Sequence, residues 1–236
     1  MFYVGARPET GKSVLAGQYA LAAVEAGKRA VVSCMEMPHD EILERLACTH
    51  ARISYERFID GDPSLFTPFN MAVSELVASK RLDIDDRAAM TVLDLEALAV
   101  SKKADILIVD YLQLLKPSKA TKSNRSRQEE VAEMSRDLKV MAMRLKIPVI
   151  VLCQLSRASA REDRRPTDTD LRESGALEQD ADGIILLWRP YCKNPEASPE
   201  DRASGELILS KLRRGGGGKS VPIRLAPHGF VEEEYP

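Results

Sequence analysis

Gly11, Lys12 and Ser13 stand together near the start of the chain, closing the run Gly5-Ala6-Arg7-Pro8-Glu9-Thr10-Gly11-Lys12-Ser13. A lysine and a hydroxyl at the end of a loop of small residues suit phosphate chemistry. Backbone N–H groups of such a loop surround phosphates, the lysine reaches the outer ones, and the hydroxyl holds Mg²⁺. The candidate nucleotide-binding residues are therefore Ala6, Arg7, Pro8, Glu9, Thr10, Gly11, Lys12, Ser13 and Val14. Read alone, Gly-Lys-Ser could be an ordinary loop. Three more side chains argue against that, because Glu36, Asp110 and Gln154 each stand at or just past the end of an apolar run. Asp110 would help position the metal, Glu36 would orient and activate a water, and Gln154 would sense the γ-phosphate.

These side chains must be positioned by strands and helices, and the chain supplies both. Phe2-Tyr3-Val4 reads as a strand before the loop, and Val14, Leu15, Gln18, Tyr19 and Ala22 have helical spacing after it, with Gly27 as the stop. Residues 30–34, 105–110 and 147–153 read as buried strands. Pro38 opens a helix carrying Ile42, Leu43, Leu46 and Ala47. The next helical pattern runs through Met71, Val73, Leu76 and Val77, and a short strand is expected near 82–86. Thr91 caps a helix with Val92, Leu95, Leu98 and Ala99. A long helix carries Val131, Met134, Leu138, Met141 and Leu145. A strand follows at 183–188, then two strands at 205–211 and 220–225 around Gly215-Gly216-Gly217-Gly218, which is a hairpin pattern. The expected fold is α/β: a mostly parallel central sheet flanked by helices, with a C-terminal β-hairpin. In such a sheet the strand ends share one edge, so Lys12, Glu36, Asp110 and Gln154 can converge there.

The composition sets bounds on function. The chain has 236 residues, 44% of them hydrophobic and 30% charged, which describes a globular protein and excludes a disordered one. The net charge is −2, so any nucleic-acid contact must come from a local patch and not from a global field. Cys34, Cys48, Cys153 and Cys192 show no Cys-x-x-Cys spacing, and Cys34 and Cys153 read as small buried hydrophobes at strand ends. Cys48 and His50 lack the second ligand pair that a metal site would need. With no signal peptide and no apolar run of about eighteen residues, the reading is a cytoplasmic protein with no membrane contact.

Five motifs carry a more specific resemblance. Ala6-Arg7-Pro8 before Gly11-Lys12-Ser13, Met35-Glu36-Met37, and Val109-Asp110-Tyr111-Leu112-Gln113-Leu114 come first. Cys153-Gln154-Leu155-Ser156-Arg157 and Asp170-Leu171-Arg172-Glu173-Ser174-Gly175 follow in the same order. Together they resemble the bacterial replicative DNA helicase family of the DnaB type, over that family's C-terminal RecA-like motor domain. The resemblance implies a RecA-like P-loop NTPase spanning residues 1–236 as one motor domain, without the family's N-terminal collar and linker helix. It implies ATP and Mg²⁺, with Lys12 and Ser13 on phosphate and metal, Glu36 as catalytic carboxylate, Asp110 on Mg²⁺ and Gln154 as γ-phosphate sensor. It also implies that Lys211 and Arg213 reach into the neighbouring subunit's nucleotide, with Arg213 as the arginine finger and Arg214 the adjacent alternative. Arg172, Glu173 and Gly175 would contact single-stranded DNA, and the basic loop of residues 116–127, including Arg125, would be a second DNA loop. The implied partners are single-stranded DNA, further copies in a hexameric ring, and a loader or primase. A RecA-type DNA-dependent ATPase that loads or assists recombination without unwinding is the alternative. Glu9 stands where the family has a small residue, and it is expected to point to solvent.

Overall fold

The computed structural model describes residues 1–117, 126–156, 164–171, 174–213 and 215–233. The first half runs β1 (Phe2–Ala6), α1 (Lys12–Glu25), β2 (Ala30–Cys34), α2 (His39–His50), α3 (Tyr55–Ile59), α4 (Phe66–Ser79) and β3 (Leu82–Asp85). Next come α5 (Val92–Ser101), β4 (Ile106–Asp110), α6 (Arg127–Leu145), β5 (Val149–Gln154) and α7 (Ser174–Asp180). The chain ends with β6 (Gly183–Trp188), α8 (Pro199–Ala203), β7 (Ser204–Leu212), β8 (Lys219–Ala226) and β9 (Gly229–Glu232).

The strands form one nine-stranded sheet in the order β3-β2-β4-β5-β1-β6-β7-β8-β9. The pairs from β3 to β6 are parallel, and those joining β6, β7, β8 and β9 are antiparallel. The expected hairpin is β7–β8, turning through Gly215, Gly216 and Gly218, all at positive φ that costs glycine little. β9 extends it into a three-stranded meander. Its four residues carry no alternation long enough to read as a strand.

Both faces of the parallel strands are covered, which is why their sequences are continuously apolar. Leu107, Val109, Val149 and Val151 face a core completed by α5, α6 and α7. Ile108, Leu152, Val4 and Val32 face the other core, completed by α1, α2, α4 and Phe230 of β9. The long helix presents Val131, Met134, Leu138 and Met141 to the first core, all fully buried, each contributing about 1.5–3 kcal/mol by transfer from water. Reciprocal capping boxes fix the starts of α5 (Thr91 with Asp94) and α6 (Ser126 with Glu129).

One expected face is corrected. Helix α4 buries Ala72 and Leu76, while Met71 and Val77 are more than half exposed. Ala72 and Leu76 are four residues apart and form the stripe on the core. Met71 and Val77 each lie about 100° round the helix from it. Among the described residues no helix is long and apolar enough to cross a membrane.

Candidate active site

The strand order places β2, β4, β5 and β1 side by side, and all four point their carboxyl ends the same way. The phosphate loop leaves β1 after Ala6 and enters α1 at Lys12. Glu9 at φ 62° and Gly11 at φ 98° turn the backbone through the left-handed region. Gly11 has no room for a side chain, because a Cβ there would lie 2.6 Å from Phe230 Cζ. Thr10 is buried and closes the loop on itself, its hydroxyl donating to the Arg7 carbonyl at 2.7 Å. Glu9 is largely exposed, and its carboxylate meets Lys193 at 3.0 Å.

A cleft of about 490 Å³ opens over this loop, lined by Ala6, Arg7, Pro8, Glu9, Gly11, Lys12, Ser13 and Val14 on one side. Glu36, Met37, Arg45, Tyr111 and Gln154 complete it. Asp110, itself buried, adjoins the cleft through two of its lining residues: Ser13 Oγ donates to Asp110 Oδ2 at 2.5 Å, and Lys12 Nζ is 3.2 Å from Oδ1. The lysine ammonium also sits 3.9 Å above the centre of the Tyr111 ring, a cation–π contact that helps aim it. Glu36 follows β2, and the Met35 N–H donates to the Asp110 carbonyl at 3.0 Å, extending the β2–β4 ladder so that the two acids emerge together. The Cys34 thiol at the end of β2 is pushed up by burial and by the nearby Asp110 charge, which keeps it neutral.

Asp110 and Ser13 fit a divalent cation. A hydroxyl and a carboxylate are hard oxygen donors, as Mg²⁺ prefers. Asp110 Oδ1 is buried and accepts no hydrogen bond among the described residues; its neighbour is the Lys12 ammonium at 3.2 Å, which a cation would join or displace.

Five residues expected from the sequence (Lys12, Ser13, Glu36, Asp110 and Gln154) are thus brought to one rim. Lys211 and Arg213 are not. Leu212 pairs with Gly183, which is level with Phe2 at the amino end of β1, whereas the loop leaves the carboxyl end. Four residue steps of strand separate the two edges, about 13 Å. There Lys211 Nζ donates to the Glu178 carbonyl, and Arg213 donates to the Gln179 carbonyl at 2.8 Å. Gly175 is exposed in the first turn of α7, with open space around it. Arg125, Arg172, Glu173 and Arg214 lie outside the described residues, as does most of the basic loop.

The structure adds residues that the sequence reading passed over. Gln113 pairs its side-chain amide with the Gln154 backbone, at 3.3 Å to the N–H and 3.4 Å to the carbonyl, fixing the end of β5. Arg45 lines the cleft from α2, held by Glu41 at 2.7 Å and stacked on Tyr55. Arg189, buried at the end of β6, donates to the Thr10 carbonyl at 3.2 Å and to the Arg202 carbonyl. Gln18 on α1 makes two 2.8 Å hydrogen bonds to the Phe230 backbone, tying β9 to the helix behind the loop. Of these, only the position of Gln113 within a motif was a usable signal.

The description "DnaB-like helicase C terminal domain" matches residues 1–227. The replicative DNA helicase DnaB of Geobacillus stearothermophilus is 34% identical over 241 residues, covering 99% of this chain and 51% of that protein. The replicative DNA helicase DnaB of Leifsonia xyli subsp. xyli is 38% identical over 226 residues, covering 91% of this chain and 48% of that protein. The chain thus spans about half the length of these relatives. A solved ATPase domain superposes with a TM-score of 0.87 at 33% identity, covering 99% of this chain and 84% of that one. A structure titled as a DnaB-like replicative helicase and its interactions with primase gives the same TM-score and identity, with 99% and 57% coverage. With five motif residues at one rim and near-complete matches in sequence and fold, this chain belongs to the DnaB-like helicase C-terminal domain family.

Proposed function

We propose that this chain is the motor of a replicative DNA helicase, hydrolysing ATP with Mg²⁺ at subunit interfaces and translocating on single-stranded DNA. The observation that carries the reading is the shared rim of Lys12, Ser13, Glu36, Asp110 and Gln154. The loop N–H groups and Lys12 bind the phosphates and offset their charge. Glu36 accepts the proton of the attacking water and orients it. Gln154 hydrogen-bonds the γ-phosphate and registers its departure. Bound by Ser13 and Asp110, Mg²⁺ would neutralise phosphate charge.

The placement of Lys211 and Arg213 at the opposite sheet edge supports a role in trans. They cannot serve their own cleft from there, but a neighbouring subunit in a hexameric ring could present its cleft to them. Arg213 is the finger and Lys211 its companion. Arg172, Glu173 and Gly175, with Arg125 of the basic loop, are the DNA-contacting residues. Primase is the partner class supported by one solved relative, whose title names it, and a loader is the other that the family resemblance implies.

The test mixes two inactive variants. Arg213→Ala and Lys12→Ala subunits should each lose hydrolysis, and mixing them should restore turnover at interfaces pairing an intact cleft with an intact finger. Absence of rescue would sink the trans assignment. Strand displacement is measured in parallel, and hydrolysis stimulated by single-stranded DNA without displacement would favour the DNA-dependent ATPase alternative.

A further inference from the structure

Helix α7 packs against the turn at Asp168–Asp170, and the carbonyls of its last residues hold Lys211 and Arg213. At the near end, Arg7 of the phosphate loop donates to the Arg164 carbonyl at 2.8 Å, and the Arg164 guanidinium grips Asp170 with two 2.7 Å hydrogen bonds. The Asp170 carbonyl accepts from the Ser156 N–H at 2.8 Å, and Leu171 bridges to Leu155, the residue after Gln154. The Leu155 N–H in turn donates to the Ala6 carbonyl at 3.0 Å. Residues 164–171 are therefore anchored to the phosphate loop and to the end of β5.

Helix α7 begins at Ser174, three residues after Leu171. It is seven residues long, about 10 Å, and Leu177 and the following Ala181 are fully buried against the core. Ser135 of α6 donates to Asp180 at 2.5 Å and accepts from the Tyr3 hydroxyl at 2.9 Å, so the helix is seated against α6 and β1. At the far end, the carbonyls of Glu178 and Gln179 hold Lys211 and Arg213. The Arg213 N–H donates to the Asp182 carbonyl at 2.7 Å, and the Asp182 carboxylate lies 3.6 Å from Arg213 Nε. The same carboxylate binds Lys139 at 2.5 Å and the Met1 ammonium at 2.7 Å.

We propose that α7, with Asp170 at one end and Asp182 at the other, is a strut that couples this subunit's nucleotide cleft to the aim of its Lys211–Arg213 pair. The inference rests on the trans role of that pair. A shift of the phosphate loop or of Gln154 moves the 164–171 segment. The helix, anchored in the core by Leu177, transmits the shift as a rigid element, and the carbonyls at its end carry the two basic side chains with it. Asp170 and Asp182 are positioning residues, since neither touches the nucleotide. By linkage, a neighbour's nucleotide that engages Arg213 biases this subunit's cleft in return.

A mutant cycle on the oligomer, with MgATP and single-stranded DNA, tests this. Asp170→Asn and Asp182→Asn are each measured alone and combined with Arg213→Ala, reading kcat, ATP KM and nucleotide affinity. Each single variant should lower kcat about tenfold, within the range of allosteric couplings, with KM and affinity unchanged. Once Arg213 is alanine, neither should lower it by more than about twofold, because Lys211 is all that the strut then has to aim. Lys139→Met, which removes another partner of Asp182 but spares Arg213, should change kcat less than about twofold. If Asp182→Asn unfolds at assay temperature, Asp170→Asn decides alone, since it contacts neither member of the pair. Losses that add fully to that of Arg213→Ala, or variants with unaltered kcat, overturn the strut. An Arg213→Ala variant with undiminished hydrolysis would instead overturn the trans finger.

Discussion

Ser13 Oγ donates to Asp110 Oδ2 at 2.5 Å, joining residues 97 positions apart in the chain. The contact exists because β1 and β4 flank β5 and all three end at one edge. Substituting Asp110 with Asn keeps the size but removes the charge available to a cation. Hydrolysis should fall at least about a hundredfold, with nucleotide binding losing its dependence on Mg²⁺. Calorimetry with and without chelator checks this, and binding still enhanced by Mg²⁺ would remove Asp110 from the metal site.

Glu36 lines the cleft from the end of β2, exposed to it and away from either core. Glu36→Gln should therefore fold normally and bind nucleotide with unchanged affinity. Hydrolysis should drop about 10²–10⁴-fold, the usual contribution of a positioned base. Single-turnover kinetics separates the two effects. Lost binding would mean a structural role.

Gly11 combines a φ of 98° with a Phe230 ring 2.6 Å from where a Cβ would stand. Gly11→Ala should destabilise the fold by about 2–4 kcal/mol from strain and overpacking together. Pairing it with Phe230→Ala should relieve the clash and leave the backbone strain, lowering the cost of the alanine relative to the single variant. Thermal unfolding of the four proteins in the cycle measures both parts.

Burial works against the charged form of Asp182, but hydrogen bonds and charge from Lys139 and the Met1 ammonium outweigh it and bring its pKa down to about 2. A depressed carboxyl stabilises the fold above its unfolded value of about 4, and the contribution is lost as pH falls through the folded value. The stability advantage over Asp182→Asn should thus be level above pH 4 and shrink between about pH 4 and pH 2. A gap that widens on acidification would contradict the assignment.

Arg189 holds the carbonyl of Thr10 from beneath the phosphate loop. Arg189→Met keeps the buried stem and removes the donor, leaving that carbonyl without this donor at a cost of about 1–3 kcal/mol. Chemical denaturation should show the loss, and saturating nucleotide should recover part of it because binding to the native state adds stability.

Much of this site was readable in one dimension. Gly-Lys-Ser after a short strand, and acids or an amide closing apolar runs, mark a sheet edge because a parallel strand buried on both faces must be apolar until it emerges. Local chemistry of that kind needs no partner to be recognised. The cap at Thr91 is legible for the same reason, since its box with Asp94 is complete within four residues. What required the folded chain were relationships between distant segments. Arg189, Arg45 and Gln18 look like ordinary polar residues until packing sets them against the loop, the cleft wall and β9. The separation of Arg213 from its own phosphate loop follows from β7 running antiparallel beside β6. The link through α7 depends on backbone carbonyls, which every residue possesses and no sequence pattern distinguishes.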